Sequence, residues 1–317
     1  TSYKSNASPR YHARQVAMHR CQTEEAVLVL GSATPSVEAV HYIESGLLQE
    51  LTLSRRPGSG ALPSVMIIDM KKEEGPVSAK LLEEIQSAKI ENRQSILFLN
   101  RRGFSYFLCC NSCGYEMRCK NCSVSLTYHK SNTSMLCHYC GYKSGLIKNC
   151  PECSSFDVGY RGYGTQRIEQ ELEVRIPGLE VCRLDTDTAR NRKNLRLILS
   201  DFHDGKIDVL VGTQMVAKGL DFPGVKLVGI INADTGLHMP DFRAAERTFN
   251  LIVQVSGRAG RTLPDGKVIV QTYQPEHNAI NEAVAGETSQ FYEQEIETRK
   301  ALNFPPFSRL IRVVFRS

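Results

Sequence analysis

No stretch of this sequence is apolar enough to cross a bilayer. The longest apolar runs, such as 225–231, fall far short of the ~20 residues that a helical span requires. The N-terminus, TSYKSNASPRYHAR, has no apolar core of the kind an export signal carries. It also has no initiator Met and begins in mid-pattern, so the expectation is a piece of a longer protein. A strong charge imbalance is absent too: 39 Lys and Arg against 34 Asp and Glu leave +5, which permits an anionic partner without requiring one. The arginines nonetheless cluster, at Arg55-Arg56, Arg101-Arg102 and 190–196. The 317 residues, 41% apolar and 23% charged, describe a globular chain long enough for two domains or more.

What is present alternates. AVLVLGSATPS (26–36) reads as a buried strand running into a small-residue loop, and SVEAVHYIESG (36–46) as a helix with Ser36 as N-cap and Gly46 beyond its end. RRPGSGALP (55–63) has the composition of an interdomain hinge. Beyond it, strands are expected at 65–70, 95–100, 179–185, 208–213, 226–231 and 266–272, and helices at 78–92, 165–176 and 193–205. Strands alternating with helices predict an α/β fold whose parallel sheet is covered by helices on both faces. From Pro275 a long helix is expected, then a strand at LIRVVFR (310–316).

The chain has eleven cysteines, and eight of them form four C-x-x-C pairs: Cys110 and Cys113, Cys119 and Cys122, Cys137 and Cys140, Cys150 and Cys153. Two intervening residues let a tight turn place both thiolates on one tetrahedral ion, so eight thiolates make two four-sulfur zinc sites. Nesting assigns Cys119, Cys122, Cys137 and Cys140 to one zinc and Cys110, Cys113, Cys150 and Cys153 to the other; cross-bracing of alternate pairs is the alternative. Disulfides fit small exported scaffolds better, and an iron–sulfur cluster is the other competing use. His129 and His138 are left as bystanders because the thiol set is complete. With four thiolates per ion no coordination position stays open, so both zincs are expected to be structural. The block interrupts the α/β pattern and therefore reads as an insertion at a strand end.

Outside the cysteines, QVSGRAGR (254–261) places Arg258 and Arg261 three residues apart after small residues that let backbone approach a phosphate. Arg suits spreading phosphoryl charge because its planar fork is permanently charged. GSATPS (31–36), ILFLNRRGFS (96–105) and VLVGTQMVAKGLDFPGV (209–225) precede it in that order. RGYGTQRIEQEL (161–172), NADTGLHMPDFRAAERTFNLIVQVSGRAGR (232–261) and LNFPPFSR (302–309) complete the set. Together these strings resemble motifs III to VI of superfamily 2 helicases and, with the cysteine block placed after motif IV, the PriA family of replication-restart DNA helicases.

That resemblance implies the rest. The fold is a RecA-like second helicase lobe with the two-zinc insertion, plus the tail of the first lobe and the start of a C-terminal domain. The implied segments are 1–56 (first lobe), 57–108 and 154–280 (second lobe), 109–153 (zinc insertion) and 281–317 (C-terminal domain). Gln254, Arg258 and Arg261 would act at the γ-phosphate; Gly219, Asp221, Ser32 and Thr34 would face or sense the nucleotide. Arg101, Arg102, Thr213, Gln214 and Lys218 would hold DNA phosphates, and Tyr3, Lys4 and Tyr11, with Arg10 and Arg14, a single strand by stacking and charge. The implied activity is ATP-dependent 3′-to-5′ unwinding at abandoned or stalled forks, with Mg²⁺, in the bacterial cytoplasm at the nucleoid. Implied partners are forked and single-stranded DNA, single-stranded DNA-binding protein and primosome or helicase-loading proteins, with a monomeric chain and no membrane. One departure stands out: GxxxxGK[ST] and the acidic motif II do not occur in the 317 residues, so these residues alone are expected not to turn over ATP.

Overall fold

The computed structural model describes residues 11–53, 63–99, 107–110, 115, 117–121, 126–129, 133–137, 140–161, 165–184, 192–213, 222–237, 239, 241–259 and 265–311. The chain separates into two compact units, residues 1–35 and 36–317. This division falls ahead of the stretch 55–63, most of which lies outside the described residues.

In the first unit, helix α1 (Ala13–Thr23) buries none of its residues. The strand expected at 26–30 is not formed: among the described residues the run pairs with no strand, and Val27 and Val29 are 89% and 79% exposed. A strand exists through ladder hydrogen bonds to a neighbour, and among the described residues none lies beside this run.

The second unit opens with α2 (Val37–Glu44), where Ser36 Oγ accepts from Ala39 N at 3.3 Å and Gly46 takes φ +74° past the C-terminus. Then come β1 (Ser64–Asp69), α3 (Ala79–Ile90) and β2 (Gln94–Phe98). Ser78 caps α3 by accepting from Leu81 N at 3.2 Å. The insertion follows, as β3 (Phe107–Cys110), β4 (Thr127–His129), β5 (Ser134–Leu136), β6 (Lys143–Ser144) and β7 (Val158–Arg161). Strands β3 and β7 pair antiparallel and form its stem; β4, β5 and β6 form a small second sheet. The α/β pattern then resumes through α4 (Thr165–Arg175), β8 (Val181–Leu184), α5 (Arg192–His203), β9 (Val209–Gly212) and β10 (Val225–Ile230). It ends with α6 (Ala244–Ser256), β11 (Lys267–Thr272), α7 (Asn278–Ala285) and α8 (Thr288–Ala301).

The main sheet has the order β1-β11-β10-β2-β9-β8, with every pair parallel. Strands β2, β9 and β10 are buried along their whole length, the consequence of helices on both faces. Ile96 and Phe98 join the cluster under α5 to α8, while Leu97 and Leu99 join the cluster under α3 and α4. On β10, Gly229 admits α3 closely: a Cβ there would stand 2.7 Å from Leu97 Cδ2 and 3.1 Å from both Leu81 methyls.

The long helix expected from Pro275 is two helices. Gly286 adopts φ +76° at the end of α7 and stops it, because only glycine enters this left-handed region without steric cost. Helix α8 belongs to the sheet's helical layer, with Phe291 and Tyr292 buried and the Phe291 ring stacked on Phe249 at 3.9 Å. The strand expected at 310–316 lies almost wholly outside the described residues.

Candidate functional site: the sheet edge and the cysteine insert

In open parallel sheets, ligands bind beyond the carboxyl ends of the strands. Thr213 stands there, one residue past β9; it is buried, and its amide donates to Leu184 O at the end of β8 (3.4 Å). Asp234, in the turn after β10, accepts from Thr272 Oγ1 (2.7 Å) and from Tyr273 N (2.8 Å), and so fastens the ends of β10 and β11. Helix α6 stops at Gly257. Arg258 follows, half-buried, with its amide bonded to Val255 O at 2.9 Å, and Gln254 is exposed on the last turn. A guanidinium just past a helix C-terminus is favoured by the helix dipole. In the first unit, Thr34 N donates to Ser32 Oγ (3.1 Å), a local turn, and Tyr11 is exposed just ahead of α1. Tyr3, Lys4, Arg10, Arg101, Arg102, Gln214, Lys218, Gly219, Asp221 and Arg261 lie outside the described residues, as do Cys113 and Cys122.

A buried ionic cluster that sequence reasoning missed sits at the other end of α6. Arg299 of α8 is 1% exposed and reaches Glu246 Oε2 (2.8 Å), Glu295 Oε1 (2.9 Å) and Glu38 Oε1 (3.6 Å). Arg243 also binds the Glu38 carboxylate, and its Nε lies 3.9 Å from Glu246 Oε2. The other Glu246 oxygen accepts from Val37 N at 3.1 Å. Both guanidinium groups lie over the Phe242 ring, which stacks on Phe304 at 5.2 Å. The FRAAER string, the FPPF turn and the first residues of α2 thus meet in one place. Burial pushes the Glu38 carboxyl up, but the Arg243 charge, its own backbone amide and Arg299 outweigh that and hold it below the ordinary value. Burial dominates at Glu295 and raises it despite Arg299.

In the insert, the described cysteines fall into two groups: Cys110, Cys150 and Cys153, and Cys119, Cys137 and Cys140. The groups follow the nested order of the pairs. Within each, the sulfurs lie within 4.8 Å of one another; Cys110 Sγ to Cys153 Sγ is 3.5 Å and Cys119 Sγ to Cys140 Sγ is 3.6 Å. A disulfide needs about 2.05 Å. A tetrahedral ion with metal–sulfur bonds of ~2.3 Å has sulfur–sulfur edges of about 3.8 Å, so the spacing fits a metal. The backbone repeats itself to present these sulfurs. Cys137 O accepts from Gly141 N and Cys150 O from Ser154 N, each at 2.9 Å, and both donors take positive φ, +77° and +59°. Asn121 N also points at Cys119 Sγ, 3.4 Å away.

The sequence family described as Helicase conserved C-terminal domain matches residues 161–262, which run from the end of β7 through Arg258 and Arg261. The PriA DNA helicase Cys-rich region domain matches residues 119–144, the inner pairs of the insert. Replication restart protein PriA of Treponema pallidum is 51% identical over 317 residues, all of this chain and 48% of that protein. The chain belongs to the PriA family. The Bacillus subtilis member is 42% identical over 318 residues, 99% of this chain and 40% of that protein. The chain spans about half the length of the curated relatives it matches. Among solved structures, S. cerevisiae Dbp5 bound to RNA and ADP BeF3 aligns over 92% of this chain and 59% of that one, with TM-score 0.42 and 17% identity. Family membership makes this a helicase-type second lobe carrying a cysteine-rich, metal-competent insert.

Proposed function

We propose that the chain works within an ATP-dependent 3′-to-5′ DNA helicase that engages stalled or abandoned replication forks and promotes primosome assembly. The observation that carries this is the Gly-Arg-x-Gly-Arg string emerging from the end of α6 in a chain aligned throughout with replication restart proteins. In this reading Arg258 and Arg261, with Gln254, spread the charge that develops on the γ-phosphate of Mg²⁺-bound ATP. Gly219 and Asp221 lie on the nucleotide side, and Ser32 and Thr34 couple nucleotide state to DNA grip. Thr213, past the end of β9, holds a DNA phosphate without reading bases, and Gln214 and Lys218, which follow it in the sequence, share that role. Arg101 and Arg102 supply further phosphate contacts, and Tyr3, Lys4 and Tyr11 stack on and pair with a single strand.

The eight paired cysteines hold two structural zinc ions in nested sets, Cys110, Cys113, Cys150 and Cys153, then Cys119, Cys122, Cys137 and Cys140. The ions staple the insert and supply no reaction step. The partners are forked and single-stranded DNA, single-stranded DNA-binding protein and helicase-loading proteins; the working form is a monomer in the bacterial cytoplasm, at the nucleoid. The test is turnover by the full-length protein: forked DNA should stimulate ATP hydrolysis and the duplex arm should be unwound 3′-to-5′. A full-length protein that binds forks but hydrolyses no ATP would leave a docking module in place of a motor.

A further inference from the structure

We propose that Glu38 and Arg243 form a positioning link for Arg258, clamping the start of α6 to α2 so that the far end of α6 delivers its arginine in register; this rests on the helicase reading above. Glu246 lies in the first turn of α6 and Arg258 just past its last. Ten helical steps from Glu246 to Ser256 make a rigid rod of about 15 Å, and Gly257 leads from its end to Arg258. The rod's near end is fixed by charge with defined direction. Glu246 holds Val37 N and Arg299, and Arg243 grips the Glu38 carboxylate from the residue immediately before α6. Glu38 is the second residue of α2 and lies four positions after Thr34 in the chain, so α2 is covalently continuous with the Ser-Ala-Thr string.

Apolar side chains of similar volume pack helices as well as a buried ion cluster does, often better. What three carboxylates and two guanidinium groups add is orientation, since each fork must meet its partner in one geometry. The leverage is large. A tilt of about 4° at the clamp moves the far end of a 15 Å rod by about 1 Å. A misplacement of about 1 Å far from the chemistry can lower turnover ~100-fold. Glu295 offers an internal contrast, because it pairs with Arg299 within α8, four residues away, and ties neither α2 nor α6.

The experiment compares Glu38→Gln, Arg243→Gln and Glu295→Gln in the full-length protein, well below the melting temperature of each. DNA-stimulated kcat for ATP, KM for ATP and fork affinity are measured together. The expected result is a fall in kcat of about 10-fold or more in Glu38→Gln and Arg243→Gln, with fork affinity within ~2-fold and Glu295→Gln close to wild type. Glu38→Asp, which keeps the charge, should restore part of kcat. Should Glu38→Gln misfold, Arg243→Gln reads the same link from a side chain 32% exposed. Unchanged kcat in both link variants, or equal losses in all three, overturns the proposal while leaving the motor intact. Absence of turnover in the wild type instead sinks the helicase reading, and the link with it.

Discussion

Stripping metal from the cysteine insert should unfold the insert and spare the sheet. The segment of about 45 residues sits at the size where a chain needs metal or disulfide staples to fold. Among the described residues, Leu108, Met117, Leu126 and Met135 are the buried apolar side chains beside the cysteines. At about 1.5–3 kcal/mol each, these contribute on the order of 6–12 kcal/mol. Two structural zincs, held as proposed above, would contribute ~10 kcal/mol or more apiece, so the metal term would be the larger one. The main sheet has no cysteine ligand and two extensive cores of its own. Hydrogen exchange before and after chelation separates the two regions. Amides that close the insert, such as Cys110 N to Tyr115 O and Leu126 N to Met117 O, should lose protection by about a thousandfold or more. Amides in β2, β9 and β10 should keep theirs. An insert that stays protected once metal-free, or a sheet that melts with it, would refute the reasoning.

Other perturbations follow from single positions. Gly229→Ala forces a methyl into Leu97 and Leu81 and should cost about 1–3 kcal/mol, read as a lower denaturation midpoint with unchanged m-value. In the insert, Ser154→Gly relieves a left-handed residue and should stabilise by up to ~1 kcal/mol, whereas Gly141→Ala should destabilise by about the same; thermal melts of the metal-loaded protein distinguish the signs. Glu38 titrates below its ordinary 4.5 when folded, so its contribution is present above that pH and is lost as pH falls through the lower folded value. Glu295 is raised above 4.5 and works in reverse, since the folded state takes its proton more readily on acidification. Glu295→Gln should therefore steepen the acid loss of stability relative to wild type, and a shallower profile would contradict the assignment.

The sequence is most legible where local signals decide. Strands β2, β9 and β10 are short apolar runs because both their faces are covered, and Ser36 and Ser78 announce helix starts through hydroxyls that do cap them. The cysteine spacing likewise foreshadows tight turns that gather sulfurs. Strand order is not legible in this way, because burial periodicity carries no record of which strand lies alongside. The run at Val27 to Leu30 shows the converse, apolar but unpaired, since pairing depends on a neighbour rather than on composition. Gly286 could have been read as a helix stop inside the long pattern after Pro275. The Glu38, Arg243, Glu246 and Arg299 cluster could not, because its members lie 53 and 205 residues apart and each alone looks like a solvated charge.

Nucleotide turnover in the proposed motor depends on one guanidinium just past the end of α6. Arg258→Ala in the full-length protein should lower DNA-stimulated ATP turnover by about 1,000-fold or more while fork affinity and zinc content stay near wild type. Turnover that survives the substitution would remove Arg258 from the nucleotide site and contradict the motor reading at its centre.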